Sequence, residues 1–261
     1  MNGQVFLHTG DFRACPEMEE YPTLWNNKID KLFLDTTYCK PEYDFPSQSA
    51  VIARSVELVQ KHVMKFPRTL ICVGSYTVGK ERIFTAIAQE INAKIWASTE
   101  KARVIKTLND PVIDKRLVAD PYAAQVHVVE MIKVKRKDYL TEILVKYKDR
   151  FDVVLGISPT GWTHEKGSSS DQSLSSLSIR SLGHKAYQLN VPYSEHSSYS
   201  EMKRFVQFLK IGSAVKIVAT VNVGNPQHRN AQKAIFLKWV EGMTQTKLKT
   251  PSSLKQAALK F

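Results

Sequence analysis

Short apolar runs alternate along the chain with longer stretches in which apolar residues recur every three or four positions, the pattern of an α/β protein. Val5-Phe6-Leu7 reads as a strand running into Thr9-Gly10-Asp11, and Lys31 to Asp35 as a second strand ending on a carboxylate. From Ser47 to Lys65, residues Val51, Ile52, Val56, Leu58, Val59 and Val63 form a helical face, with Ser47 or Ser49 placed to cap it. Thr69 to Val73 is a continuous apolar run, the mark of a buried strand, and Glu81 to Ile91 returns to helical spacing. Lys94 to Ala97, Val126 to Val129 and Val153 to Ile157 read as further strands, with a helix from Tyr139 to Tyr147 between the last two. The serine-dominated stretch Gly167 to Ser178 predicts a flexible loop. Beyond it the pattern gives a strand over Ala186 to Val191 and a helix from Ser200 to Leu209, then a strand from Lys216 to Val221 and a helix over about Asn230 to Glu241. Thr244 onward reads as a polar basic tail, and no internal repeat is visible.

Charge changes the picture. Thirty-seven Lys and Arg against 25 Asp and Glu leave a formal +12, a balance that favours polyanionic partners through counterion release. The three cysteines, Cys15, Cys39 and Cys72, are scattered and odd in number, which argues against a zinc knuckle or a disulfide framework and for a reducing compartment. No apolar run is long enough to span a membrane and no signal peptide opens the chain, so a soluble intracellular protein is expected. A strand within a few residues of the initiator Met needs neighbours, and suggests a chain that starts inside a domain.

Gly74-Ser75-Tyr76-Thr77-Val78-Gly79-Lys80 fits G-x-x-x-x-G-K between a strand and a helix, as a phosphate-binding P-loop requires. The next residue is Glu81, where Mg²⁺ coordination needs a hydroxyl and where a carboxylate competes with phosphate for the helix N-terminus. No downstream strand supplies a Walker-B Asp, which leaves nucleotide hydrolysis as a minor alternative and a backbone-lined anion site as the milder one.

Two further segments carry chemistry. Leu7-His8-Thr9-Gly10-Asp11-Phe12-Arg13 and Leu34-Asp35-Thr36-Thr37-Tyr38-Cys39 each put an Asp at a strand end, and Pro192 to Tyr199 is a hydroxyl-rich turn around His196. Two Asp and a His suit Zn²⁺, Mn²⁺ or Mg²⁺, but the same residues also serve as turn formers and as a packed His. His62 and His127 read as packing residues, and His164 lacks the second His of an H-E-x-x-H helix.

In order, T-G-D-F-R, L-D-T-T-Y-C, P-T-G-W-T-H and S-E-H-S-S-Y resemble the DNA cross-link repair nucleases of the metallo-β-lactamase/β-CASP type, the Artemis-related family. The likeness runs from residue 1 to about residue 243, and Glu201 to Leu209 is more similar to the cross-link repair 5′ exonucleases than to Artemis itself. The resemblance implies an incomplete metallo-β-lactamase αββα sandwich with an inserted α/β β-CASP domain. Residues 1–45 would end the first lactamase portion, 46–185 form the β-CASP domain, 186–243 return to the lactamase portion, and 244–261 form the basic tail. It further implies that Asp11 and His196 ligate the metal, Zn²⁺ with Mg²⁺ or Mn²⁺ as alternatives, and that Asp35 orients the site. Ser75, Tyr76, Lys80 and Ser194 become candidates for a 5′-phosphate pocket, and Lys203, Arg204 and the Lys133 to Lys137 cluster for contacts to DNA, although charge runs are often solvated faces.

Around Thr220 to Gly224 there are valines where the RNA-processing branch has a histidine, which favours DNA as substrate. The family's H-x-H-x-D-H motif does not occur in these 261 residues, whose seven histidines come no closer than His184 and His196. The expectation is therefore a nuclear, metal-dependent 5′-to-3′ DNA exonuclease of interstrand cross-link repair, present as a fragment inactive alone. A catalytically dead DNA-binding remnant or regulatory isoform is the alternative.

Overall fold

The computed structural model describes residues 3–160, 170–211, 213 and 216–245. In chain order its strands are β1 (Phe6–His8), β2 (Lys31–Leu34), β3 (Thr69–Ser75), β4 (Ile95–Ala97) and β5 (Leu117–Val118), then β6 (Val126–Glu130), β7 (Val153–Pro159), β8 (Arg180–Gly183), β9 (Ala186–Val191) and β10 (Ile217–Ala219). The helices are α1 (Pro22–Asn26), α2 (Gln48–Lys65), α3 (Glu81–Glu90), α4 (Thr99–Lys106) and α5 (Pro111–Asp114), followed by α6 (Met131–Val134), α7 (Lys137–Lys146), α8 (Ser170–Ser175), α9 (Tyr199–Phe208) and α10 (Pro226–Gln245). These elements make an α/β protein of two compact units, one from the described residues of Met1–Cys39 and Ser200–Phe261, the other Lys40–Tyr199.

In the first unit β1, β2 and β10 form a parallel sheet with β2 in the centre. Leu32 and Leu34 of β2 are fully buried, as are Met202, Phe205 and Val206 of α9 and Phe236 and Trp239 of α10. Phe12 meets Phe205 edge to face at 5.2 Å between ring centroids. Each such side chain contributes on the order of 1.5–3 kcal/mol by leaving water.

The second unit is a seven-stranded sheet in the order β5-β4-β6-β3-β7-β9-β8, parallel except for β8, which runs antiparallel to β9. A parallel sheet carries helices on both faces, and its central strands are apolar on both sides. Every residue of β3 and β7 is accordingly buried. Ile71 and Val73 point to the face covered by α2 and α3, with Val59, Ile83, Phe84 and Ile87. Leu70 and Cys72 point to the other, with Val134 of α6 and Leu140 and Leu144 of α7. Gly74 permits the close seat of α6, since a Cβ there would lie 2.6 Å from Val134 Cγ1 and 3.3 Å from the Met131 Cα. Of the two serines placed to cap α2 it is Ser47 that does so, its hydroxyl accepting from the Ala50 amide at 3.3 Å.

The serine-rich reading needs correction: Ser170–Ser175 is helical, and only residues 176–178 of the described part of that stretch lie outside the helix. His164 and most of P-T-G-W-T-H lie outside the described residues, as does the basic tail beyond residue 245; α10 itself runs through to Gln245. His62 packs against Phe66 and Tyr187, and His127 against Trp96 and Tyr147. Among the described residues no helix is long and apolar enough to cross a membrane.

Candidate functional site

In the first unit the two aspartates come together. Asp11 follows β1 through Gly10, whose φ of +59° is a conformation that favours glycine and turns the chain so that Asp11 emerges exposed. Asp35 leaves the end of β2 and is only 1% exposed. One carboxylate oxygen of each lies within 4.8 Å of the other.

The flanking residues explain how a buried carboxylate is held there. Asp35 Oδ1 accepts from the Thr37 amide at 3.0 Å and from the Thr37 hydroxyl at 2.6 Å, while Oδ2 accepts from the Phe12 amide at 3.4 Å. The Asp35 amide donates to Thr9 Oγ1 at 3.0 Å, tying the two strand ends. These three donors fix the orientation of the carboxylate. Arg13 donates from Nε and Nη2 to Glu201 of α9 at 2.8 and 3.0 Å, so the segment that carries Asp11 is anchored to a helix. On the other side, Thr36 Oγ1 donates to the Val221 carbonyl at 2.7 Å, and Gln232 of α10 donates to the same carbonyl at 3.0 Å. Lys203 is exposed on α9, whereas Arg204 donates from Nε to Glu19 at 2.7 Å and is half-buried.

The second unit holds the other sequence candidates. His196 is half-buried in the turn after β9, and the turn is closed by Ser194, whose hydroxyl accepts from the His196 amide at 2.9 Å and donates to its carbonyl at 3.1 Å. Glu195 is the residue that sequence reasoning passed over. Its Oε1 accepts from the Lys80 amide and its Oε2 from Gln48 Nε2, both at 2.8 Å, and Gln48 Oε1 in turn accepts from Arg82 at 2.6 Å. Its place in S-E-H-S-S-Y was the only available signal, because its partners lie 115 and 147 positions away.

The G-x-x-x-x-G-K loop is filled from within. The Gly79 amide donates to Glu81 Oε1 at 3.1 Å and the Lys80 amide to Glu195, so two amides that would cradle a nucleotide already hold carboxylates. Lys80 is 5% exposed and its ammonium lies 4.9 Å from the Tyr193 ring, away from solvent. Ser75 donates to the Gly79 carbonyl at 2.8 Å, and Tyr76 stands exposed. A phosphate could enter this loop only by displacing Glu195 from the Lys80 amide, and the nucleotide-binding alternative loses its basis.

Comparison with known proteins places the chain among DNA-repair relatives. Residues 111–225 match the family described as DNA repair metallo-beta-lactamase. The chain is 42% identical over 243 residues to the DNA cross-link repair 1A protein of Gallus gallus, covering 92% of this chain and 24% of that protein. It is 40% identical over 242 residues to the DNA cross-link repair protein SNM1 of Arabidopsis thaliana, covering 92% and 48%. With the 5′ exonuclease Apollo of Gallus gallus it shares 29% identity over 214 residues, 82% of this chain and 40% of that one. The chain thus spans from 24% to 48% of the length of these relatives. It belongs to the DNA repair metallo-β-lactamase family, in which the DNA cross-link repair proteins are its relatives.

Proposed function

We propose that this chain is part of a metal-dependent nuclease that degrades DNA from the 5′ end during interstrand cross-link repair, working in the nucleus. The observation that carries the reading is the pair Asp11 and Asp35, one exposed and one buried and held by three donors. Carboxylate oxygens and an imidazole nitrogen suit a hard or borderline divalent cation, and Asp11 with His196 would hold it, Zn²⁺ first and Mg²⁺ or Mn²⁺ as alternatives. When bound, the metal supplies a water of lowered pKa and stabilises charge developing on the phosphate. Asp35, fixed by Thr37 and Phe12, would keep Asp11 and its surroundings in register.

The same proposal gives the 5′-phosphate to Ser75, Tyr76, Lys80 and Ser194, with Glu195 yielding the Lys80 amide on binding, and gives strand contacts to Lys203 and Arg204. Valines at 221 and 223, where the RNA-processing branch carries a histidine, support DNA over RNA. A catalytic zinc site uses about three protein ligands, and these 261 residues contain no H-x-H-x-D-H, so the chain by itself is expected to hydrolyse DNA weakly. That absence also favours a second reading, DNA binding without catalysis.

The test compares zinc content and digestion of 5′-phosphorylated single-stranded DNA by this chain and by a longer protein in which an H-x-H-x-D-H segment precedes it. Metal retention and cutting by the longer protein alone, abolished by Asp11→Ala, supports the nuclease. If neither cuts and both bind DNA, the non-catalytic reading replaces it.

A further inference from the structure

We propose that the crevice at the carboxyl edge of the seven-stranded sheet is a pocket for an unpaired nucleobase of single-stranded DNA, a proposal that rests on DNA being the partner. In an open parallel sheet, a crevice forms where neighbouring strands send their following helices to opposite faces. β3 and β6 are such neighbours, with Ser75 in register with Glu130 at their carboxyl ends. After β3 the chain passes to α3 on one face, and after β6 to α6 and α7 on the other.

A cavity of about 530 Å³ opens at that point, within the second unit. This volume falls inside the roughly 300–1,000 Å³ range of small-molecule sites. Its walls include Tyr76, Trp96, Val104, Met131 and Ile132. Tyr76 and Ile132 are 57% and 72% exposed, so among the described residues the mouth presents apolar surface to solvent.

The cations of the cavity are already committed. Lys101 is paired with Glu81 at 2.8 Å, both side chains largely buried, and donates to the Thr77 carbonyl at 2.9 Å. Lys133 is paired with Glu130. Glu100 lines it as well, so the wall offers a phosphate no spare positive charge, yet a chain of net charge +12 attracts polyanions. The occupant that reconciles these facts is flat and uncharged, polar at its edges, and attached to a polyanion. A nucleobase has those properties, and aromatic walls bind bases with little regard to sequence.

The full chain is tested in EDTA, which stops metal-dependent cutting, with a thymidine hexamer lacking a 5′-phosphate and with a hexamer of abasic residues carrying the same phosphates. The base-bearing hexamer is expected to bind about tenfold tighter or more. Val104→Phe, which fills the wall, and Ile132→Glu, which charges the rim, should each remove most of that preference while weakening the abasic hexamer little. The second variant changes an exposed side chain and guards against a folding defect in the first, with circular dichroism as the check. Equal binding of the two hexamers by the unaltered chain overturns the proposal, as does a preference that survives in both folded variants. If N-acetyltryptophanamide binds saturably by calorimetry while the hexamers show no base dependence, the pocket belongs to a protein partner and the proposal also fails. Digestion by the longer protein is scored separately. Base-dependent binding without digestion keeps the pocket and removes the nuclease, whereas digestion with equal hexamer binding removes the pocket alone.

Discussion

The Arg13–Glu201 pair gives the sharpest test of how the Asp11 segment is held. Its two bonds measure 2.8 and 3.0 Å, and the side chains retain 7% and 16% of their exposure. Arg13→Ala removes both bonds to the largely buried Glu201, and breaking such a pair from one side costs about 3–5 kcal/mol. The residual exposure of Glu201 lets water reach it in part, which sets the expectation near the lower end, about 3 kcal/mol. At a urea slope of about 1–3 kcal/mol/M this lowers the unfolding midpoint of the first unit by about 1–3 M. Trp239, 1% exposed in the same unit, is the fluorescence reporter. The double change Arg13→Leu with Glu201→Leu removes both charges and should recover most of the loss, because replacing a buried pair by apolar groups is often neutral. A cost below about 1 kcal/mol for Arg13→Ala is the behaviour of an exposed ion pair, and would refute the claim that this contact anchors the segment. A double variant no better than the single would show that the guanidinium acts through packing rather than through its charge.

Other consequences are as direct. Thr37→Val removes the 2.6 Å bond to the buried Asp35 and should cost about 1.5–3 kcal/mol by denaturation, with Thr37→Ser recovering most of it. Burial, the largest cause, lowers the His127 pKa to about 4, below its ordinary 6.5. Below pH 6.5 the unfolded chain therefore binds a proton that the folded chain refuses, and stability present above that pH falls by about 3 kcal/mol as pH drops towards 4. In His127→Gln the stability-versus-pH curve between those limits should be flatter by up to one proton; an unchanged slope would rule His127 out as its source. Burial pushes the Cys39 and Cys72 thiols up to about 12. At pH 8 a thiol reagent should leave both untouched in the folded chain and react with all three cysteines once it is unfolded.

What the sequence reveals and conceals follows from how far apart the cooperating residues lie. β3, β6, β7 and β9 stand out as apolar runs because most of their residues are buried in the sheet. α4 does not stand out, since Ile105 is its one buried hydrophobic residue and Glu100, Arg103 and Lys106 are exposed, and β8 is hidden because it is an exposed edge strand of Arg180, Ser181, Leu182 and Gly183. α8 escapes notice because serine composition argues for a loop while saying nothing about what packs beside it.

The candidate site divides along the same line. Asp11 and Asp35 are legible because a carboxylate at a strand end is a local feature. Thr37, two residues from Asp35, is the one local support; the others are not legible, because Phe12, Arg13 and Thr36 act on partners 23, 188 and 185 positions away. Glu195 sharpens the point. In sequence it stands beside His196 with nothing to mark a role of its own, yet in the fold its two oxygens go to Lys80 and Gln48, where it closes the loop that the G-x-x-x-x-G-K spacing had advertised as a phosphate cradle. Glu195→Gln keeps the size of that side chain and removes its charge, so it tests what the charge does there. The amide oxygen can still accept from the Lys80 N–H, but its NH2 then faces the Gln48 Nε2 donor, so that bond is lost and stability should fall by about 1–3 kcal/mol. Binding of inorganic phosphate should then appear or tighten, because the competing negative charge is gone. If phosphate binding is unchanged in a folded Glu195→Gln chain, the carboxylate is not what keeps the loop shut, and the assignment of the 5′-phosphate to Ser75, Tyr76 and Lys80 falls with it.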